Sequence, residues 1–449
     1  MGIFKAYDIR GVYNQEWDGS TAYRIGFFLP ALLGARDIIV GRDGRLSSAE
    51  ILAALCRGLL EAGCDVTDIG LCCTPSLYFA TARYGADGSV MITASHNPPE
   101  YNGMKISGRN AVPVGYGCGL EKLEQMVKVE PAPSAPRGRL HGLDIRADYL
   151  AHLAPYKSGI RGVKAVVDCS DGMASVFIHD VLRDLQAPIL TMYDTVDGAF
   201  PHHAPNPLVE ENLADLKKRT LEEKADLGIC FDGDADRVMF VDEQGSFISP
   251  DLITALLGLY FFAAERGNRG QVVSYDVRSS RSVVEFIERL GGRPVICPVG
   301  HSHAKRLLRE RGGVYGGELA GHYYFRDNFY CDSGMIAALI VLSILSREGK
   351  PLSALIGSIR KYHFSGEINF RVERKDRVLQ ALLRDYPGGK LTDIDGIRLD
   401  FPTWWFNVRK SNTEPYLRLV VEAQTAAELV RRTRELSGRI RELDLTSEG

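Results

Sequence analysis

Through residues 1–360 short apolar runs alternate with longer stretches of helical periodicity. Residues 38–41, 65–71 and 88–92 read as buried strands. Residues 20–33 and an amphipathic stretch ending at Ala62 read as helices between them, and Thr74-Pro75 opens another. Residues 4–11 read as an N-terminal edge strand. Strands alternating with helices imply a mainly parallel sheet covered on both faces. The order of apolar strand, acidic turn, serine and helix recurs at residues 163–172 and 270–278, which predicts three related α/β domains. After residue 360 the pattern changes to several strands, one helix among them and a charged amphipathic helix at the end, as in a smaller α+β domain with an antiparallel sheet. The proline-rich residues 129–138 read as a linker or surface crossing. The expected domains are therefore 1–143, 144–245, 246–360 and 361–449, three α/β units with mixed, mainly parallel sheets and a C-terminal α+β unit.

Composition narrows the function classes. A chain of 449 residues exceeds one ordinary core. A formal net charge of -3 leaves no global field for nucleic acid or an anionic membrane, so any anionic ligand must be held by local Arg and Lys. The longest apolar run, residues 335–345, is about half of what a bilayer requires and predicts a buried core helix. Nine scattered cysteines without a C-x-x-C pair predict reduced, buried thiols, and with no signal-like N-terminal segment they point to a cytoplasmic protein.

Four loops carry candidate chemistry. Thr93-Ala-Ser-His-Asn-Pro98 follows a buried strand and cannot extend it, which puts Ser95 on a turn at a strand end, with Gly103 and Lys105 close behind. In such turns Ser and Asn commonly bond the local backbone; the neighbouring His96 and Lys105 favour a nucleophile instead. Asp232-Gly-Asp-Ala-Asp-Arg237, also after a strand, spaces three carboxylates so that they can converge on a hard cation such as Mg²⁺. An EF-hand is excluded because Arg237 stands where that loop needs its turn glycine. Gly316-Gly-Glu-Leu-Ala-Gly-His322 offers Glu318 as an acceptor for paired hydroxyls and His322 as a proton carrier. Arg409-Lys-Ser-Asn-Thr-Glu-Pro415 offers a guanidinium fork, two hydroxyls and an amide in one loop, which suits a phosphate dianion.

The motifs T-A-S-H-N-P, D-G-D-A-D-R, G-E-L-A-G-H and R-K-S-N-T-E-P, in that order and one per domain, closely resemble those of the α-D-phosphohexomutase superfamily, the phosphomannomutase and phosphoglucomutase enzymes, over essentially the whole chain. The resemblance implies four domains around one cleft and reversible phosphoryl transfer between C1 and C6 of a mannose or glucose phosphate. Ser95 would carry the phosphate. Mg²⁺ would be held by Asp232, Asp234, Asp236 and a phosphoryl oxygen on Ser95. Arg409, Ser411, Asn412 and Thr413 would hold the phosphate that is not reacting, and Glu318 would read the sugar hydroxyls. Lys105 and His322 are similar in position to the family's proton-handling residues. Tyr7, Arg10, Arg237, Arg278, His301 and Lys305 would line the cleft, Arg237 beside the reacting group. A hexose 1,6-bisphosphate activator, hexose phosphates as the only partners, and a monomer or small homo-oligomer are implied as well.

Two departures stand out. Ala235 replaces a common glycine, a small change if the backbone there needs no positive φ. Ala320 stands where dual-specificity members usually carry Ser, which predicts weaker sugar binding or relaxed choice at O3 and O4. Three rivals are weighed. A phosphoglucosamine mutase usually reads G-E-Q-S-G-H with Gly at position 412. A haloacid-dehalogenase-type phosphatase would use Asp232 as nucleophile and leave Ser95 and the Arg409 loop idle. A non-enzymatic phosphosugar-binding protein would need neither Ser95 nor three metal carboxylates.

Overall fold

The computed structural model describes residues 2–132, 136–411 and 416–445. Four sheets follow one another along the chain. The first orders its strands as Ile9–Val12, Tyr101–Gly108, Gly88–Ile92, Asp37–Arg42, Asp65–Leu71 and Leu140–Gly142, with Val112–Pro113 as an extra edge piece. The second runs Phe247–Ile248, Val238–Asp242, Leu227–Phe231, Ala165–Asp168, Ile189–Met192, so it extends past Gly245. The third runs Arg293–Cys297, Val272–Asp276, Tyr315–Gly317, Tyr323–Phe325, Cys331–Asp332. Each contains three parallel strands centred on Asp37–Arg42, Ala165–Asp168 and Val272–Asp276 respectively, the first unit adding Leu140–Gly142 as a fourth parallel strand and Ile9–Val12 as an antiparallel edge. Each continues from the third parallel strand into an antiparallel hairpin. The last sheet is wholly antiparallel, with the helices Lys375–Asp385 and Ala426–Leu445.

This repeated topology decides where the chemistry sits. The loop at Ser95 joins Gly88–Ile92 to Tyr101–Gly108, the loop at Asp232 joins Leu227–Phe231 to Val238–Asp242, and the loop at Glu318 joins Tyr315–Gly317 to Tyr323–Phe325. All three are the same turn of the repeated unit. The loop after Arg409 is likewise a hairpin, between Trp404–Lys410 and Tyr416–Ala423. Ligand sites at the carboxyl ends of parallel strands follow the general rule for such sheets.

One core joins the second and third units and includes the helix Gly334–Glu348, whose residues from Met335 to Leu342 are all buried. The first unit and the last have separate cores. No described helix is long and apolar enough to cross a membrane. Eight of the nine cysteines are buried and Cys118 is exposed. The proline-rich crossing ends in the strand Leu140–Gly142, which adds in parallel to Asp65–Leu71.

Candidate active site

Ser95 lies in the left-handed region at φ 50 and is 3% exposed. Its N–H donates to Thr93 Oγ1 at 2.9 Å, and within the turn its hydroxyl meets only His96 Nδ1, at 3.4 Å. The Ser95 Oγ–H donates to Asp232 Oδ2 at 2.7 Å and accepts from Arg237 Nη2 at 3.2 Å. The Ser95 loop and the acidic loop thus meet across a gap of 137 residues. Gly233 makes the approach possible: a Cβ there would stand 2.4 Å from the Ser95 carbonyl oxygen. Asn97, for its part, accepts from Arg10 Nη1 at 2.6 Å.

Asp232, Asp234 and Asp236 are buried and place one carboxylate oxygen each within 4.8 Å of the others. Thr74 Oγ1 donates to Asp234 Oδ2 at 2.6 Å, fixing that rotamer. Asp234 Oδ1 and Asp236 Oδ1 are buried and accept no hydrogen bond. Burial, with Asp234 and Asp236 close by, pushes the Asp232 carboxyl up to about 7 even though Arg237 opposes the shift. Three convergent hard oxygen ligands, two of them with an oxygen that accepts no hydrogen bond, fit a divalent cation of the Mg²⁺ type.

Lys105 is not on the turn. It belongs to the strand Tyr101–Gly108, and its ammonium bridges Asp234, at 2.6 Å, and Asp236. These carboxylates raise its pKa against the pull of burial, so in this arrangement it is a firm cation. Ala235 corrects an expectation: its φ is 60, so the backbone does need the left-handed region here and the methyl carries the strain that a glycine would avoid.

Across the cleft, Glu318 is buried and accepts from the Tyr324 hydroxyl at 2.6 Å; burial raises its pKa. His322 Nδ1 is 2.8 Å from Asp332 Oδ2 and 3.7 Å from Asp236 Oδ1. Burial lowers its pKa, but these two carboxylates outweigh the effect and hold it above the ordinary value. His96 and His301 are pushed well down by burial and by neighbouring cations. Tyr7 donates its hydroxyl to Val299 O at 2.7 Å, tying the first unit to the third beside His301.

Ser95, Lys105, Arg237, Glu318, His322 and Arg409 all border one cavity of about 1290 Å³. Tyr7, Arg10, Arg278, His301 and Ser411 border it too. Lys305 does not: it is fully buried, paired with Asp332 at 2.7 Å and lying 3.9 Å over the Tyr78 ring. Asn412 and Thr413 fall outside the described residues.

Several site-shaping residues carried no sequence signal. Glu367 Oε2 is 3.2 Å from Arg278 and 3.3 Å from Arg409, and its Oε1 is 2.8 Å from Arg418. The three guanidiniums hold its carboxyl down at about 2 against the effect of burial. It joins the third unit to the fourth at the Arg409 end of the cleft. Arg45, at the end of the Gly41-Arg-Asp-Gly-Arg45 turn, is also buried and donates to four carbonyl oxygens of the Ser95 loop.

Comparison with known proteins agrees in every unit. Models of phosphoglucomutase/phosphomannomutase alpha/beta/alpha domains I, II and III match residues 1–129, 147–245 and 249–362, and that of the C-terminal domain matches residues 367–436. The chain is 39% identical over 448 residues to phosphohexose mutases of Xanthomonas campestris pv. campestris, covering 98% of this chain and 99% of the relative. It is 37% identical over 439 residues to the phosphomannomutase/phosphoglucomutase of Pseudomonas aeruginosa, covering 96% and 93%. A crystal structure of a phosphoglucomutase/phosphomannomutase family protein from Burkholderia thailandensis superposes with a TM-score of 0.88 at 32% identity, covering 100% of this chain and 98% of that one. With relatives matched over nearly their whole length and all four domain models in order, this chain belongs to the phosphoglucomutase/phosphomannomutase family of enzymes.

Proposed function

We propose that the enzyme interconverts the 1- and 6-phosphates of mannose or glucose, with Ser95 as the phosphate carrier. The observation that carries this reading is the meeting of Ser95 Oγ with Arg237 at the wall of a cavity that Arg409 and Glu318 also line, and with Asp232 just behind that wall. In the first half-reaction the 6-hydroxyl of a hexose 1-phosphate attacks the phosphorus on Ser95. The O6–P bond forms, the P–Oγ bond breaks, and the hydroxyl proton passes to a base at the cleft wall, His322, while Lys105 stays a cation beside the acidic loop. The resulting 1,6-bisphosphate turns over, and Ser95 takes back the phosphate from O1. Both orientations use the same end groups, with Arg409 and Ser411 holding the phosphate that is not reacting and Glu318 the ring hydroxyls.

Asp232, Asp234 and Asp236 would hold Mg²⁺ beside Ser95. When bound, the cation neutralises charge on the transferred phosphoryl oxygens. Arg237, already on Ser95 Oγ, adds a second positive charge at the same oxygens. A 1,6-bisphosphate would also act as activator by charging Ser95. Mannose and glucose phosphates are favoured by the names of the relatives, phosphomannomutase and phosphomannomutase/phosphoglucomutase.

The reading is tested by peptide mass spectrometry. Phosphate is expected on Ser95 of the purified enzyme, lost on incubation with hexose monophosphate and regained from glucose 1,6-bisphosphate. An unmodified Ser95 in fully active enzyme overturns it.

Ala320 borders the same cavity. Ala320→Ser adds one hydroxyl contact, worth on the order of 1 kcal/mol. KM for glucose 1-phosphate or mannose 1-phosphate is expected to fall about 5-fold in steady-state assays. An unchanged KM for both sugars would remove Ala320 as a determinant of sugar binding.

A further inference from the structure

Asp332, in the short strand Cys331–Asp332, is fully buried and borders no part of the cavity, yet two charged groups converge on it. Its Oδ2 is 2.8 Å from His322 Nδ1, and its Oδ1 is 2.7 Å from Lys305 Nζ. Lys305 is fully buried on the helix His301–Arg311, and its ammonium lies over the ring of Tyr78, which belongs to the helix Thr74–Arg83 of the first unit. From Tyr78 through Lys305 and Asp332 to His322, one buried chain of contacts links the first unit to the sugar-side loop of the third.

An imidazole at the cleft wall can present either nitrogen to a ligand unless something behind it takes one. We propose that Asp332 is the positioning residue of the reaction: its Oδ2, 2.8 Å from His322 Nδ1, pairs with that nitrogen and fixes the ring and its tautomer so that Nε2 faces the substrate hydroxyl. Lys305 has a different part. It neutralises the other oxygen of Asp332, while His322 pairs with the first, so the carboxylate is not left isolated when Lys305 is removed. The main chain of the His322 loop is held separately, by the bridge to Arg237 and by Glu318 N–H donating to the His322 carbonyl at 3.0 Å. Losing Asp332 therefore frees the ring without releasing the loop. The Asp–His arrangement of serine hydrolases shows what is at stake, since an amide in place of that carboxylate leaves the fold intact and selects the wrong tautomer.

The inference rests on the mutase reading, and its test separates the two. Asp332→Asn alone leaves Lys305 buried and uncompensated, so the comparison is made in a Lys305→Met background. Relative to Lys305→Met, the double variant Lys305→Met/Asp332→Asn is expected to lose about 10- to 100-fold in kcat, the usual range for loss of a group that orients a site residue. KM is expected to stay within about 3-fold, because phosphate and sugar contacts lie elsewhere. In enzyme labelled with [15N]histidine, the Nδ1–H resonance of His322, assigned through its absence in His322→Asn, is expected in Lys305→Met and absent in the double variant. A double variant with unchanged kcat, or with the Nδ1–H resonance retained, overturns the positioning role. If the unsubstituted enzyme neither turns over hexose phosphates nor takes phosphate onto Ser95, the mutase reading fails instead, and there, as with an inactive Lys305→Met, the resonance alone decides whether Asp332 orients His322.

Discussion

Ser95→Ala is expected to keep the fold and lose at least about 10⁴-fold in mutase turnover, as removal of a nucleophile does elsewhere. The residue is buried, and its hydroxyl contacts Asp232 and Arg237 rather than the core, so truncation costs little packing. Ala at φ 50 carries no more backbone strain than Ser does. Asp232 keeps Arg237 through both oxygens, with Oδ1 accepting from the Arg237 N–H at 3.1 Å and Oδ2 from Nε at 3.0 Å. The phosphatase rival would leave the Ser95 hydroxyl and Arg409, both at the cavity wall, without a role. The measurement is steady-state turnover of glucose 1-phosphate together with transfer of labelled phosphate from glucose 1,6-bisphosphate onto protein. Turnover retained in Ser95→Ala would move the nucleophile to Asp232.

The four motifs were legible because each places breakers and charges directly after a readable strand. The strand Tyr101–Gly108 was not. Its letters, Tyr-Asn-Gly-Met-Lys-Ile-Ser-Gly, show no apolar alternation, yet it lies between two strands and is buried almost throughout. Its polar groups are satisfied by partners that periodicity cannot show. Asn102 Nδ2 donates to the hydroxyls of Ser47 and Ser48, Lys105 meets the aspartates of the next unit, and a Cβ on Gly103 would stand 2.1 Å from Ile9 O. Hence the common hairpin of the three units, which explains why the site loops converge, emerged only from the fold. Glu367 read as an ordinary strand residue for the same reason: its three arginine partners come from two units of the chain. Lys305 erred the other way. The family resemblance placed it along the cleft, but a buried aspartate and an aromatic ring hold it inside.

Arg45 gives the second large effect, an expected fall of about 100-fold in kcat for Arg45→Met, the scale of a 1 Å misplacement of a reacting group. Its Nη2 donates to the carbonyls of Ser95 and Asn97 at 2.9 and 2.6 Å, and its Nη1 to those of Pro98 and Tyr101 at 2.6 and 3.0 Å. Asp43 holds the guanidinium from behind at 3.2 Å and is itself bonded by the Ser48 hydroxyl at 2.5 Å. The planar fork is what lets one side chain serve four acceptors. Ser95 occupies a φ that costs about 1 kcal/mol, and such a conformation persists only where its surroundings over-determine it. Methionine removes all four donors while filling much of the same volume, so the loop loses its anchor more than the core loses packing. Glu318 and Arg409 lie on other units, and KM is therefore expected to stay within about 3-fold. Arg45→Lys, with one ammonium for the fork, should fall between the two. Circular dichroism and thermal melting establish that the variants are folded, and phosphorylation of Ser95 by glucose 1,6-bisphosphate reports on the loop itself. A folded Arg45→Met enzyme with native kcat would show that the loop holds its shape without the four hydrogen bonds, leaving the strain at Ser95 to be borne by the hairpin and by Gly233 beneath it.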